Sequence, residues 1–156
     1  MTSLCCDVLK ALEGKTLVTA ESLTGGGIGA ALTGISGSSA VYKGGVICYT
    51  NWVKHNVLGV PQEALDSHGA VSEQTAGAMA TGVRKLLQAD VAVSVTGLAG
   101  PGGDEFGNPV GTVFIGYADA CRTVVKHCVF SGDREAVRTQ TVKTALELVL
   151  KMQNQL

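Results

Sequence analysis

Apolar positions along this chain switch repeatedly between a helical period and short continuous runs. Leu4, Val8 and Leu12 stand at i, i+4 and i+8, which predicts an opening helix over Ser3–Leu12. Gly14 and Lys15 end it, and Thr16–Ala20 reads as a short buried strand. Thr24, a good N-cap residue, starts a small-residue helix that runs to about Leu32. Ser36–Ser39 is a loop by composition, and Val46–Tyr49 predicts a second strand with Asn51 as a possible helix cap behind it. Pro61 opens a short helix. Ser72 caps a longer one, whose residues Ala76, Met79, Ala80, Val83, Leu86 and Leu87 keep helical period through Gln88. Asp90–Thr96 is then a strand that runs into the glycine loop Gly97–Gly107. Val110–Ala118 and Thr123–Phe130 predict a strand pair, and Asp133 caps a last helix with Val137, Thr141, Leu146 and Leu150 on one side. This alternation predicts one α/β domain over residues 1–156, a three-layer α/β/α sandwich around a central mixed, mostly buried sheet.

Composition narrows the function classes. Of 156 residues only 16% are charged and 46% are hydrophobic, which excludes a disordered chain. A formal net charge of −1 gives no basic field for nucleic acid or an anionic membrane, so neither partner is expected. Met1–Lys10 has no basic stretch followed by a long apolar core, and a cytoplasmic location is the expectation. The five cysteines form no C-x-x-C pair, and they read as reduced, mostly buried thiols. His55, His68 and His127 have no metal-site spacing against them, so no zinc site is expected.

Four segments carry candidate chemistry. Ser22–Gln62 contains no Asp or Glu but holds Lys43 and Lys54, so it is locally positive. A helix start near Thr24, Gly25 and Gly26 would add N–H groups for an anion, unless these glycines only permit close packing. Gly25–Ala30 also matches the dinucleotide-binding pattern G-x-G-x-x-A. The acid such a site needs about 20 residues later falls in the acid-free stretch, so this reading fails. Thr96–Gly103 feeds a strand into four glycines, which can present N–H groups to a phosphate or an oxyanion, or can simply turn the chain. It lacks the Lys-Ser/Thr ending of a nucleoside triphosphate loop. Among Gly37–Ala40 and Tyr49–Lys54, a serine could be activated by a lysine. The lysine must be neutral, as burial or a nearby cation such as Lys43 would favour. Lastly, Arg134 at a helix start opposes the helix dipole, which an anionic ligand or a partner's carboxylate would explain.

Taken in order, these segments resemble the CinA C-terminal family. Ala20–Gly26 is similar to its A-E-S-C-T-G-G signature, and Gly37–Ala40 to G-S-S-A. Tyr49, Asn51 and Lys54 are similar to Y-S-N-x-x-K, His68–Glu73 to H-G-A-V-S-E, and Thr96–Gly103 to T-G-I-A-G-P-x-G. Pro109–Val113 and Ser131–Arg134 complete a resemblance that covers nearly the whole chain.

The resemblance implies an amidohydrolase that converts nicotinamide mononucleotide to nicotinic acid mononucleotide and ammonia without a cofactor. Ser39 would be the nucleophile and Lys54 its base, with Tyr49, Ser22 and Thr96 orienting the pair or the leaving amide. Backbone N–H groups near Ser39 or in the Gly97–Gly100 turn would hold the oxyanion. Arg134 and the glycine-rich elements (Thr24, Gly25, Gly26, Gly97 and Gly100) would hold the phosphate. The partner is then a small nucleotide substrate, and a homodimer or higher homo-oligomer is expected.

Two residues depart from the family pattern. Leu23 stands where the signature has cysteine, which argues against an essential thiol there. Trp52 replaces the usual acid and reads as a cover for the core, with stacking on the nicotinamide ring the alternative. Two competing readings remain: a non-catalytic nucleotide-binding or interaction module linked to competence or DNA damage, and a thiol hydrolase built on Cys48. A mid-strand cysteine without a placed histidine disfavours the latter.

Overall fold

The computed structural model describes residues 1–155, and among them five strands and six helices alternate much as the periodicity predicts. In chain order they are α1 (Thr2–Ala11), β1 (Leu17–Glu21), α2 (Gly27–Thr33), β2 (Tyr42–Ile47), α3 (Asn51–Asn56) and α4 (Gln62–His68). These are followed by α5 (Glu73–Leu86), β3 (Val91–Gly97), β4 (Thr112–Ala118), β5 (Thr123–Val129) and α6 (Arg134–Asn154). The sheet has the order β2-β1-β3-β4-β5. Strand β1 pairs in parallel with both β2 and β3, while β4 and β5 are added antiparallel. It is an open mixed sheet with helices on both faces.

The two faces of β3 show how the layers are set. Val91, Val93 and Val95 join one core cluster with Val8 and Leu12 of α1, Ile28 and Leu32 of α2, and Leu146 and Val149 of α6. On the alternate positions stand the small residues Ala92, Ser94 and Thr96, so α5 can lie close to the opposite face. Ser94 Oγ donates to the Ala76 carbonyl of α5 at 2.6 Å. Ser94 is paired with Gly116 of β4, where a Cβ would come within 2.6 Å of that same carbonyl oxygen. A second cluster on this side joins Val18 and Ala20 of β1 to Leu65 of α4 and to Met79 and Val83 of α5. Each fully buried Leu or Val here contributes about 1.5–3 kcal/mol relative to an exposed one.

Several boundaries differ from the expectation for local reasons. Ser72 and Asp133 do cap their helices, accepting from Thr75 N at 3.1 Å and Ala136 N at 2.9 Å. Thr24 does not cap α2; that position belongs to Gly26, whose φ of 104° lies in the left-handed region that favours glycine. The cap of α3 is Thr50, and Asn51 is its first residue. Strand β2 begins at Tyr42 and ends before Cys48 and Tyr49, and Ser38–Ala40 form a 3-10 turn inside the expected loop. Cys5 and Cys48 are buried, but Cys6 and Cys121 are exposed, so the expectation of mostly buried thiols fails. No helix among the described residues is long and apolar enough to cross a membrane.

Candidate active site

Strand order fixes where a ligand can enter. From β1 the chain passes to β2 on one side, and β3 then pairs on the other side of β1. The loops that follow β1 and β3 therefore diverge at the carboxyl end of the sheet, where open α/β sheets characteristically form a crevice. A cavity of about 330 Å³ occupies this place. Ser22 and Leu23 reach it from the end of β1, Tyr49 and Lys54 from beyond β2, Thr96 and Gly100 from the end of β3, and Arg134 from α6.

Lys54 is the unusual residue. It sits on α3 yet is only 1% exposed, because its stem turns inward over the end of the sheet. Its Nζ lies 3.0 Å from Ser22 Oγ and donates to the Cys48 carbonyl at 2.8 Å and, more loosely, to the Tyr49 carbonyl at 3.5 Å. No carboxylate pairs with it; the salt bridge found among the described residues is Arg122–Asp119. Burial holds the ammonium pKa below the ordinary lysine range, only partly opposed by the Cys48 thiol. Lys43, considered in the sequence as a neighbouring cation, instead donates to the Gln88 carbonyl at 3.3 Å.

Ser39 does not meet Lys54. It is exposed in the 3-10 turn and lies outside the cavity wall, so the expected contact between these two residues is not formed. Ser22 makes that contact in its place. The residues between them explain the difference: the segment from Gly27 to Ala40 forms α2 and a turn that lead away from the carboxyl end of β1.

Thr24, Gly25 and Gly26 also lie outside the cavity wall. The N–H groups expected to bind an anion at the start of α2 are already occupied. Glu21, 2% exposed, accepts from Ile28 N at 2.7 Å, Gly29 N at 3.0 Å and Thr24 Oγ1 at 2.7 Å. An internal carboxylate thus takes the helix N-terminus that an external anion would need.

Other expected residues do converge. Thr96 Oγ1 donates to the Ala70 carbonyl at 2.7 Å and so ties the His68–Val71 segment to the end of β3. Arg134 spans the mouth, donating to the Gly100 carbonyl at 2.7 Å and to Tyr49 Oη at 3.2 Å. Gly97 and Gly100 line the wall, where a side chain on Gly97 would meet the Thr112 carbonyl. Trp52 is 68% exposed, so it does not cover the core as expected, and it does not line the cavity. Cys48 is fully buried and its thiol is pushed up to about 11 by burial, which removes the thiolate a thiol hydrolase would need. Among the described residues, no group of three or more His, Cys, Asp or Glu could hold a metal ion.

Sequence reasoning placed Ser22 only in an orienting role and passed over Glu21 and Asn51. Asn51 lines the cavity one helical turn before Lys54. A helical wheel through Asn51–Lys54 would have put these two on one face.

Fold and site together define an open α/β protein with a buried lysine set against a serine at the carboxyl edge of its parallel strands. Residues 2–153 match the CinA C-terminal domain family, and the chain belongs to that family. A CinA-like protein of Parasynechococcus marenigrum is 47% identical over 149 residues, covering 93% of this chain and 36% of that one. A CinA-like protein of Endomicrobium trichonymphae is 50% identical over 135 residues, covering 86% and 32%. This chain thus spans about a third of the length of these curated relatives. Among solved structures, a competence-damaged protein (CinA) superfamily protein from Klebsiella pneumoniae superposes with a TM-score of 0.96 at 38% identity, covering 99% and 98% of the two chains. The competence/damage inducible protein CihA from Agrobacterium tumefaciens gives 0.93 at 41% identity, covering 98% and 94%.

Proposed function

We propose that this chain is an amidohydrolase that cleaves the carboxamide of nicotinamide mononucleotide, with Ser22 as nucleophile and Lys54 as its base. The observation that carries the reading is a fully buried lysine, unpaired with any carboxylate, held 3.0 Å from a serine hydroxyl on a cavity wall. A neutral amine has two N–H groups and one lone pair. The Cys48 and Tyr49 carbonyls take the former, which leaves the lone pair to accept the Ser22 proton.

Ser22 Oγ attacks the carboxamide carbon while its proton passes to Lys54 Nζ. The tetrahedral oxyanion is held by backbone amides that have no partner among the described residues: Leu23 beside the nucleophile, and Ala99 and Gly100 across the cavity. Lys54 then returns the proton to the leaving nitrogen, which departs as ammonia. Water, deprotonated by Lys54, then attacks the acyl-Ser22 ester; Lys54 passes that proton to the departing Ser22 Oγ, and the product acid leaves and ionises to the carboxylate. The cavity wall carries the Arg134 cation and no acid, which suits an anionic substrate. Arg134 exchanges its contacts with Gly100 and Tyr49 for the phosphate. A binding-only module would leave the cost of burying an unpaired lysine without a return.

Ammonia release, measured with nicotinamide mononucleotide, its riboside and free nicotinamide, tests this. Turnover is expected with the mononucleotide, weaker with the two substrates that lack phosphate. Arg134→Ala should raise KM for the mononucleotide about tenfold with a smaller change in kcat, the mark of uniform binding lost. Equal turnover of all three substrates by both proteins would overturn the phosphate assignment. No turnover of any by the wild type would overturn the reading.

A further inference from the structure

Arg138 is the second cation in the opening turns of α6, where the helix dipole disfavours it, and it faces no carboxylate. Its guanidinium instead donates to two main-chain carbonyls far away in sequence, Leu23 O at 2.9 Å through Nε and Thr24 O at 3.2 Å through Nη2. These belong to the turn directly after Ser22. On the other side of that turn, the Glu21 carboxylate grips Thr24 Oγ1 and the first amides of α2.

The peptide planes turn these contacts into a statement about charge. In a trans peptide the carbonyl and the N–H of one plane point in opposite directions. The Ser22 carbonyl accepts from Gly25 N at 3.1 Å, so the Leu23 N–H of the same plane faces away from Gly25. The Leu23 carbonyl is held by Arg138, so the Thr24 N–H of that plane faces away from the guanidinium. Both amides lack a partner among the described residues, although Leu23 and Thr24 are 4% and 2% exposed. Of the two, Leu23 lines the cavity beside the candidate nucleophile, and an unpaired donor there is what a developing oxyanion requires.

Resting on the reading of Ser22 as nucleophile, we infer that Arg138 is a positioning residue: it fixes the turn after Ser22 so that the Leu23 amide stays aimed at the oxyanion. Arg138 touches neither the cavity nor the substrate, so its effect is confined to states that carry charge on the carbonyl oxygen.

The test compares the wild type with Arg138→Met, Arg138→Lys and Ser22→Ala in nicotinamide mononucleotide turnover. It also measures inhibition by a pyridylboronate, which forms a tetrahedral adduct with an active serine, and binding of the carboxylate product. Arg138→Met should lower kcat and weaken the boronate by similar factors of about ten, with KM and product binding within about twofold. Arg138→Lys, which keeps a donor, should fall between Arg138→Met and the wild type. Wild-type kcat in Arg138→Met, or an equal loss in KM, product and boronate binding, would overturn the inference. If Ser22→Ala still turns over, the nucleophile reading fails and the positioning role with it. If Ser22→Ala is inactive and Arg138→Met is normal, only the positioning role fails.

Discussion

Ser22→Ala should lower ammonia release from nicotinamide mononucleotide by about 10³-fold or more in kcat, while Ser39→Ala should stay within about twofold of the wild type. The asymmetry follows from geometry rather than from residue type. Ser22 is 7% exposed, lines the cavity and is the hydroxyl at the Lys54 amine, whereas Ser39 is exposed outside the cavity. Removing one hydroxyl from Ser22 leaves the fold intact, so melting curves and substrate binding should change little while turnover vanishes. A burst of product bound covalently in the wild type and absent from Ser22→Ala would mark the acyl-enzyme. The opposite ranking, with Ser39→Ala inactive and Ser22→Ala active, would return the nucleophile to the 3-10 turn and separate the lysine from the chemistry.

Lys54→Met should be equally inactive and, at neutral pH, more stable than the wild type by about 1 kcal/mol. Burial holds the folded-state pKa of Lys54 below its unfolded value of about 10.4. Between these two pKa values the folded state binds fewer protons than the unfolded one, so stability rises with pH through that window. The penalty is complete once pH has fallen through the folded pKa and disappears above the unfolded one. The stability gap between Lys54→Met and the wild type should therefore narrow as pH rises towards about 10.4, less whatever the unpaired Cys48 carbonyl costs. The same direction governs rate. Because the neutral amine is the base, kcat/KM should climb with pH and level off below the ordinary lysine value. Thermal melts and pH–rate profiles on both proteins check the two halves separately. A gap that widens with pH, or a rate that falls across this range, would contradict a neutral buried base.

How far the residues alone reach differs between fold and site. Helix and strand order were legible because the patterns are strong: the small residues of β3 against its valines, and the Ser72 and Asp133 caps. The lysine was also legible, since Lys54 follows an apolar strand within a segment free of acids. Its partner was not. Ser22 and Ser39 are both followed by small or apolar residues in the same acid-free segment, and only the path of α2 decides which of them lies at the end of β1. The occupation of the α2 N-terminus was hidden for a related reason. Glu21 is the last residue of a strand, where a side chain in isolation gives no sign that it turns back onto amides seven and eight residues ahead. Arg138 and its two carbonyls are 114 and 115 residues apart, beyond the range of any local pattern.

Those separations bear on the order in which the chain acquires activity during folding. Parallel pairing of β1 with β3 joins residues about 74 positions apart, as between Leu17 and Val91, and such pairings form slowly because long loops must close first. The Ser22 turn can collapse early onto Glu21, which is local, but it receives Arg138 only when α6 docks across α1 and the sheet. A refolding sample would then regain helical signal before it regains substrate affinity or turnover. Catalysis becomes a report on the final tertiary contact rather than on the presence of secondary structure.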